Sequence, residues 1–202
     1  DLTNSEGLHT NAVYGFLNIM FKVLDEEKPE YLTVTFDVHA PTFRHKMFAD
    51  YKGTRKPMAE ELRQQVPVIK DVLKAMNIEI IEKEGLEADD LLGTISCMCE
   101  EKGMDVSIIS GDRDTLQLAT EHVKIRIPKT KQGRTEVEDY NASDVIEKYG
   151  VTPKEFIDVK ALMGDASDNI PGVPGVGEKT ATKIIQQYKS IENAYEHVDE
   201  LK

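Results

Sequence analysis

What this 202-residue chain has little of sets the first limits. Cysteine is nearly absent. Only Cys97 and Cys99 occur, two apart in a helical pattern where their side chains cannot face each other, so they make a poor disulfide. The reading is a reducing compartment, the cytoplasm. No histidine or second cysteine pair stands close by, which removes a zinc site. No apolar run approaches the ~20 residues that span a bilayer. No basic-then-apolar leader opens the chain, so no membrane partner is expected. Repeats and low-complexity tracts are missing as well. Positive charge is in deficit: the formal charge is −12, which as an average argues against nucleic acid. That average hides where the acids sit.

What is present is a globular composition, 40% apolar and 31% charged, of a length for one domain or one domain with a small appendage. Apolar extended runs alternate with amphipathic ones. Residues 11–27 predict a helix with Val13, Phe16, Leu17, Met20, Phe21 and Leu24 on one face, ended by Pro29. The β-branched run 31–36 predicts a strand. A helix over 58–76 with Pro67 as kink or boundary follows, then a strand at 78–81 and a helix at 87–102 closed by Gly103. Residues 106–109 read as a buried strand, followed by a helix-like turn from Thr115 and edge strands at 124–127 and 136–138. From Ala142 the pattern is all-helical: 142–149, 152–163, 178–188 and 191–198. The fold class is therefore α/β, a parallel-type sheet flanked by helices with a C-terminal helical subdomain. The expected division is a core over 1–140, including a basic stretch at 39–57, and a helical subdomain over 141–202.

In parallel sheets, ligands gather beyond the carboxyl ends of the strands. Asp37 follows the first strand; Glu87, Asp89 and Asp90 follow the second; Asp112 and Asp114 follow the third. For any one junction, a capping acid is a sufficient explanation. For the set it is not, because the EADD segment places three acids where a cap needs one. Crowded like charges cost stability unless a cation sits among them, and an all-oxygen cluster selects a hard ion, Mg²⁺ or Mn²⁺. Asp165 and Asp168, in the segment GDASDN, are by spacing alone equally an acidic turn. Setting these eight carboxylates aside moves the formal charge from −12 to −4.

Two segments read as contacts for DNA. Residues 170–185 carry a helix-hairpin-helix pattern, with Ala181, Ile184 and Ile185 inward. Gly175, Val176 and Gly177 let backbone approach a phosphate, and Lys179 and Thr180 add contacts. Ordinary helix-helix turns also use glycine, but the sixteen-residue pattern is more demanding. Residues 39–57 place Arg44, Lys46, Lys52, Arg55 and Lys56 against the single acid Asp50, with Phe43, Phe48 and Tyr51 interleaved. Basic residues between aromatics suit single-stranded nucleic acid; a solvated loop is the bland alternative.

These motifs together resemble the flap endonuclease family, in the form of the 5′ nuclease domains of bacterial DNA polymerases of type I. The segments that carry the likeness are TFD, TFRH, YKG-x-R, EADD, SGDRD and LMGDASDNIPGVPGVGEKTA, in family order. The resemblance implies a PIN-like fold with a helix-three-turn-helix element, which can hold K⁺ against duplex phosphate. It makes Asp37, Glu87, Asp89, Asp90, Asp112, Asp114, Asp165 and Asp168 the ligands of two divalent ions. It turns 39–57 into a helical arch with Arg44, Lys52 and Arg55 near the scissile phosphate. The implied activity is 5′-3′ exonuclease or 5′-flap endonuclease cleavage of flapped, nicked or single-stranded 5′ ends, in primer removal and repair, with a polymerase domain in the same polypeptide as a further partner. The family pattern opens with a strand ending in a metal-binding Asp, which Asp1 does not match. The alternative expectation is accordingly a non-catalytic module that binds DNA junctions.

Overall fold

The structure, a computed structural model, describes residues 2–131 and 134–200. The chain divides into two compact units, Asp1–Thr42 with Lys56–Leu91, and Phe43–Arg55 with Leu92–Lys202.

The first unit begins with α1 (Asn11–Glu27), which has the bounds its apolar stripe predicts. Lys28 closes it in the left-handed region, donating its N–H to the Leu24 carbonyl one residue before Pro29. Val13, Met20 and Val23 are buried, whereas Phe21, expected on the inward face, is 50% exposed. The start of α1 lacks a side-chain cap from Thr10. Gln65, only 1% exposed, supplies one from a distance: its carbonyl oxygen accepts the Ala12 N–H at 2.7 Å and the Val13 N–H at 3.3 Å. Its amide donates to Asn11 Oδ1 and the Glu61 carbonyl. The single helix expected over 58–76 is two, α3 (Glu60–Arg63) and α4 (Gln65–Ala75). Pro67 sits in the first turn of α4, where its missing N–H costs nothing. Strands β1 (Thr33–Thr35) and β2 (Glu79–Ile81) pair in parallel, Thr35 opposite Ile81, so both chains leave at one edge. Ile69 and Leu73 of α4 join Val13 and Met20 in the core beneath them.

Helix α5 (Ala88–Glu100) follows β2, and Gly103 at φ +74° ends its last turn. Both cysteines on it are free.

In the second unit, β3 (Val106–Ile109) pairs in parallel with β4 (Val123–Lys131), which pairs antiparallel with β5 (Arg134–Tyr140). The expected parallel pairing is thus found in two places, β1–β2 and β3–β4, with an antiparallel hairpin on the second. Both hairpin strands run longer than their β-branched cores predict, and residues 132–133 of the connecting stretch lie outside the described residues. The short helix α2 (Phe43–Met47) lies within 39–57, where periodicity predicts no element and only the family resemblance implies a helical arch. Helices α6 (Ala142–Tyr149) and α7 (Pro153–Met163) both open on capping boxes, Asn141 with Asp144 and Thr152 with Glu155. A two-stranded ladder, β6 (Gly164–Asp165) with β7 (Ile170–Pro171), leads to α8 (Glu178–Tyr188). Helix α9 (Ile191–Glu196) ends earlier than expected, continuing as a 3-10 turn. Ile125, Val145, Val159, Ala181 and Ile185 form a single buried core of this unit. Among the described residues, no helix is long and apolar enough to cross a membrane.

Two interactions here have measurable weight. Gln65→Leu keeps bulk but strands the α1 donors, and should lower unfolding free energy by about 1–3 kcal/mol in urea titrations; an unchanged midpoint would mean the long-range cap is idle. On β5, Glu138 accepts from Lys129 at 2.5 Å and from Tyr140 at 2.6 Å, with Lys148 at 3.4 Å. The Lys129 and Tyr140 bonds, reinforced by Lys148, hold its carboxyl at about 2. A lowered folded-state value stabilises above the unfolded glutamate range, ~4.3, and that contribution disappears as pH falls toward the folded value. The stability gap between the native protein and Glu138→Gln should therefore close on acidification from pH 5 to about 2, and a pH-independent gap would count against the network.

Candidate active site

The acids of the first unit stand at the edge where β1 and β2 end. Asp37 is exposed two residues past β1, and its Oδ1 accepts the Ala88 N–H at 2.7 Å. Asp90 reaches back to the Glu87 N–H at 2.9 Å. Asp89 and Asp90 both lie in the first turn of α5. The capping explanation is therefore partly realised, since Asp37 and Asp90 satisfy donors at this helix start. A carboxylate has two oxygens, however, and a cap uses one. Four acids at one helix start exceed what capping needs.

The second unit holds the other four. Asp112 caps a 3-10 turn (Arg113–Leu118), its Oδ1 accepting the Asp114 N–H at 2.8 Å. Asp165, on β6, accepts from the Ser167 N–H at 2.8 Å and the Ser167 hydroxyl at 2.6 Å. Between the two segments lies a residue the sequence reading passed over. Lys160, in the last turn of α7, places Nζ 3.0 Å from Asp114 Oδ1 and 3.2 Å from Asp165 Oδ2. A base in a last helical turn ordinarily complements the macrodipole, so its spacing carried no signal. Burial pushes the Asp114 carboxyl up, against the pull of Lys160. Burial also acts upward on Asp165, but the bonds from Ser167 and Lys160 outweigh it and hold that carboxyl at about 2.

Asp168 is engaged by the basic stretch. Tyr51 donates its hydroxyl to Asp168 Oδ2 at 3.1 Å, and the Arg55 guanidinium pairs with Oδ1. Arg55 Nε also donates to the Ser167 carbonyl, Lys52 N–H to the Asp168 carbonyl, and the Asn169 amide to the Asp50 carbonyl. Tyr51 is only 5% exposed, with its ring edge against His45. Its place is as a support for the acidic turn, which differs from the open stacking face expected of it, because its hydroxyl is bound and its ring enclosed. Phe43 is 42% exposed beneath the Arg44 guanidinium, and Lys46 is exposed on α2. Lys52 lies over the Tyr51 ring.

The hairpin has the expected form. Gly175 takes φ +81°, Gly177 caps α8, and Lys179 and Thr180 are exposed in its first turn with Val176 half-buried. A Cβ on Gly175 or Gly177 would meet open space, so nothing crowds their backbone. Gly164 and Gly172 are different. A Cβ on Gly172 would lie 2.3 Å from the Met163 carbonyl carbon, so the β6–β7 ladder closes only because both are glycine.

The donors fit a hard cation: oxygens alone, with no thiol or imidazole among them. A positive charge is already drawn between Asp114 and Asp165. Among the described residues, no three acidic, thiol or imidazole groups close a metal cage as they stand.

Residues 1–150 match the family described as 5′-3′ exonuclease, N-terminal resolvase-like domain, and residues 151–202 its 5′-3′ exonuclease, C-terminal SAM fold. The chain belongs to the 5′-3′ exonuclease family. It is 49% identical over 201 residues to DNA polymerase I of Bacillus caldotenax, covering 100% of this chain and 23% of that one. DNA polymerase I of Bacillus subtilis is 50% identical over 200 residues, covering 99% of this chain and 22% of the relative. The chain thus spans under a quarter of the length of these curated relatives. Among solved structures, the phage T5 5′-exonuclease with bound divalent zinc superposes with a TM-score of 0.74 at 26% identity, over 93% of this chain and 70% of that one. The catalytic core of Rad2 in complex with DNA substrate shares the fold, with a TM-score of 0.62 at 18% identity over 100% of this chain and 61% of that one.

The two kinds of glycine separate experimentally. Gly172→Ala should cost about 1–3 kcal/mol by urea unfolding, through overlap with backbone. Gly177→Ala, in open space at φ −95°, should leave stability within about 0.5 kcal/mol. Equal effects would contradict the tight ladder.

Proposed function

We propose that this chain is a structure-specific 5′ nuclease domain, hydrolysing phosphodiesters in DNA with flaps, nicks or single-stranded 5′ ends. The observation that carries it is the Asp114–Lys160–Asp165 contact: two acid-bearing segments brought within reach of one positive charge. Asp37, Glu87, Asp89 and Asp90 of the first unit, and Asp112, Asp114, Asp165 and Asp168 of the second, would hold two Mg²⁺ or Mn²⁺ ions. When bound, such ions supply a water activated as nucleophile and a stabilised leaving 3′ oxygen.

The remaining steps belong to the side chains. Arg44 and Lys52 offset charge that develops on the phosphate, and Arg55 joins them when it leaves Asp168. Phe43 and Lys46 line the single-stranded 5′ end along the arch at 39–57, with Tyr51 bracing that arch from below. Gly175, Val176 and Gly177 offer backbone to the duplex phosphates, with Lys179 and Thr180 beside them and K⁺ as a candidate at the neighbouring carbonyls. Contacts of this kind read shape and leave base sequence unread. In this reading 1–140 serve as the nuclease core and 141–202 as the duplex-gripping half. The relatives named DNA polymerase I support a polymerase domain in the same polypeptide, and with it a cytoplasmic role in primer removal and repair.

A labelled 5′-flap duplex, incubated with Mg²⁺ and the full-length protein that carries this sequence, should lose its flap. Asp112→Asn combined with Asp114→Asn should slow release by more than about a hundredfold, since even changes outside direct ligation cost 10–100-fold. Intact cleavage by the double variant would overturn the metal assignment. Flap binding without cleavage by the unaltered protein would favour the junction-binding alternative.

A further inference from the structure

The geometry points to Lys160 as an internal counter-cation that occupies the space between Asp114 and Asp165 until a divalent ion displaces it. The inference rests on the metal-site reading above and deepens it. Three segments meet at this ammonium. Lys160 lies in the last turn of α7, Asp114 lies in the 3-10 turn against which α7 packs, and Asp165 lies on β6, into which α7 runs. Its side chain is 27% exposed, so the charge is partly withdrawn from water and its attraction to the two carboxylates is correspondingly strengthened.

Without a cation, Asp114 and Asp165 would repel each other. The oxygens Lys160 engages, Asp114 Oδ1 and Asp165 Oδ2, are the donors a hard divalent ion would take. Lysine suits such a place better than arginine would. Its ammonium is a compact point charge on a flexible stem, able to swing aside, whereas a guanidinium forms a planar fork that is harder to dislodge. The bland alternative is an incidental ion pair of little energetic weight, as exposed pairs commonly are. The two differ in one respect: an incidental pair has no bearing on metal affinity, while a displaced cation competes with the metal directly.

Removing the ammonium eliminates the competitor and also exposes the carboxylates to each other's repulsion. Both effects draw a divalent ion in more strongly. In calorimetric titration of the full chain with Ca²⁺, Lys160→Met should tighten binding about tenfold, as the loss of one nearby positive charge implies. Lys160→Gln, neutral but still a hydrogen-bond donor, should do the same, and Lys160→Arg should stay within about threefold of the native protein. In EDTA both neutral variants should melt below the native protein, and Ca²⁺ should raise their melting temperatures by more than it raises the native one. Failure of the native protein to bind Ca²⁺ would overturn the metal site and this inference together. Native binding as tight as, or tighter than, that of Lys160→Met and Lys160→Gln would leave the metal site standing and overturn the role of Lys160 alone.

Discussion

Acidic side chains placed side by side repel one another, and much of this architecture answers that repulsion. Strand ends in both units deliver carboxylates to loop and helix starts, where backbone N–H groups and a lysine absorb part of the charge. What these partners absorb is incomplete. Burial still pushes the Asp114 carboxyl up despite a lysine 3.0 Å away, because burial disfavours its charged form. On the metal-site proposal, a divalent ion would supply the remaining neutralisation.

Capping and ligation are often treated as rival explanations of an acid at a helix start, yet here they are compatible. Asp37, Asp90 and Asp112 each give one oxygen to a backbone donor, which fixes the carboxylate's orientation. A carboxylate held by its backbone is a better ligand than a mobile one, because less freedom is lost when an ion arrives. The Asp168 turn is fixed in a different way. Tyr51, Arg55, Lys52 and Asn169 tie the basic stretch to it, so the segment that would handle the single strand shares hydrogen bonds with a candidate ligand.

The sequence was most legible where local and tertiary demands agree. Helices 11–27, 142–149 and 178–188 and the strand 106–109 have the bounds their patterning predicts, because their apolar pattern agrees with the packing it meets. The acids at strand ends were legible because strand periodicity tells where strands stop. Contacts set by distant partners were not. Gln65 reads as an ordinary polar helix residue, and only the fold shows it capping α1 from 53 positions away. Lys160 looks like a surface base, and Tyr51 like a stacking platform, until the turn at 165–169 folds against them. Helix 43–47 has no periodic signal of its own, because five residues are too short to establish a period, and only the family resemblance implies helix there.

The account stands or falls on these carboxylates holding divalent ions. Anomalous diffraction from crystals of the protein soaked in Mn²⁺ tests this most directly. The account predicts ordered ion peaks ligated by carboxylates among Asp37, Glu87, Asp89, Asp90, Asp112, Asp114, Asp165 and Asp168. No ordered ion at any of these carboxylates would contradict it.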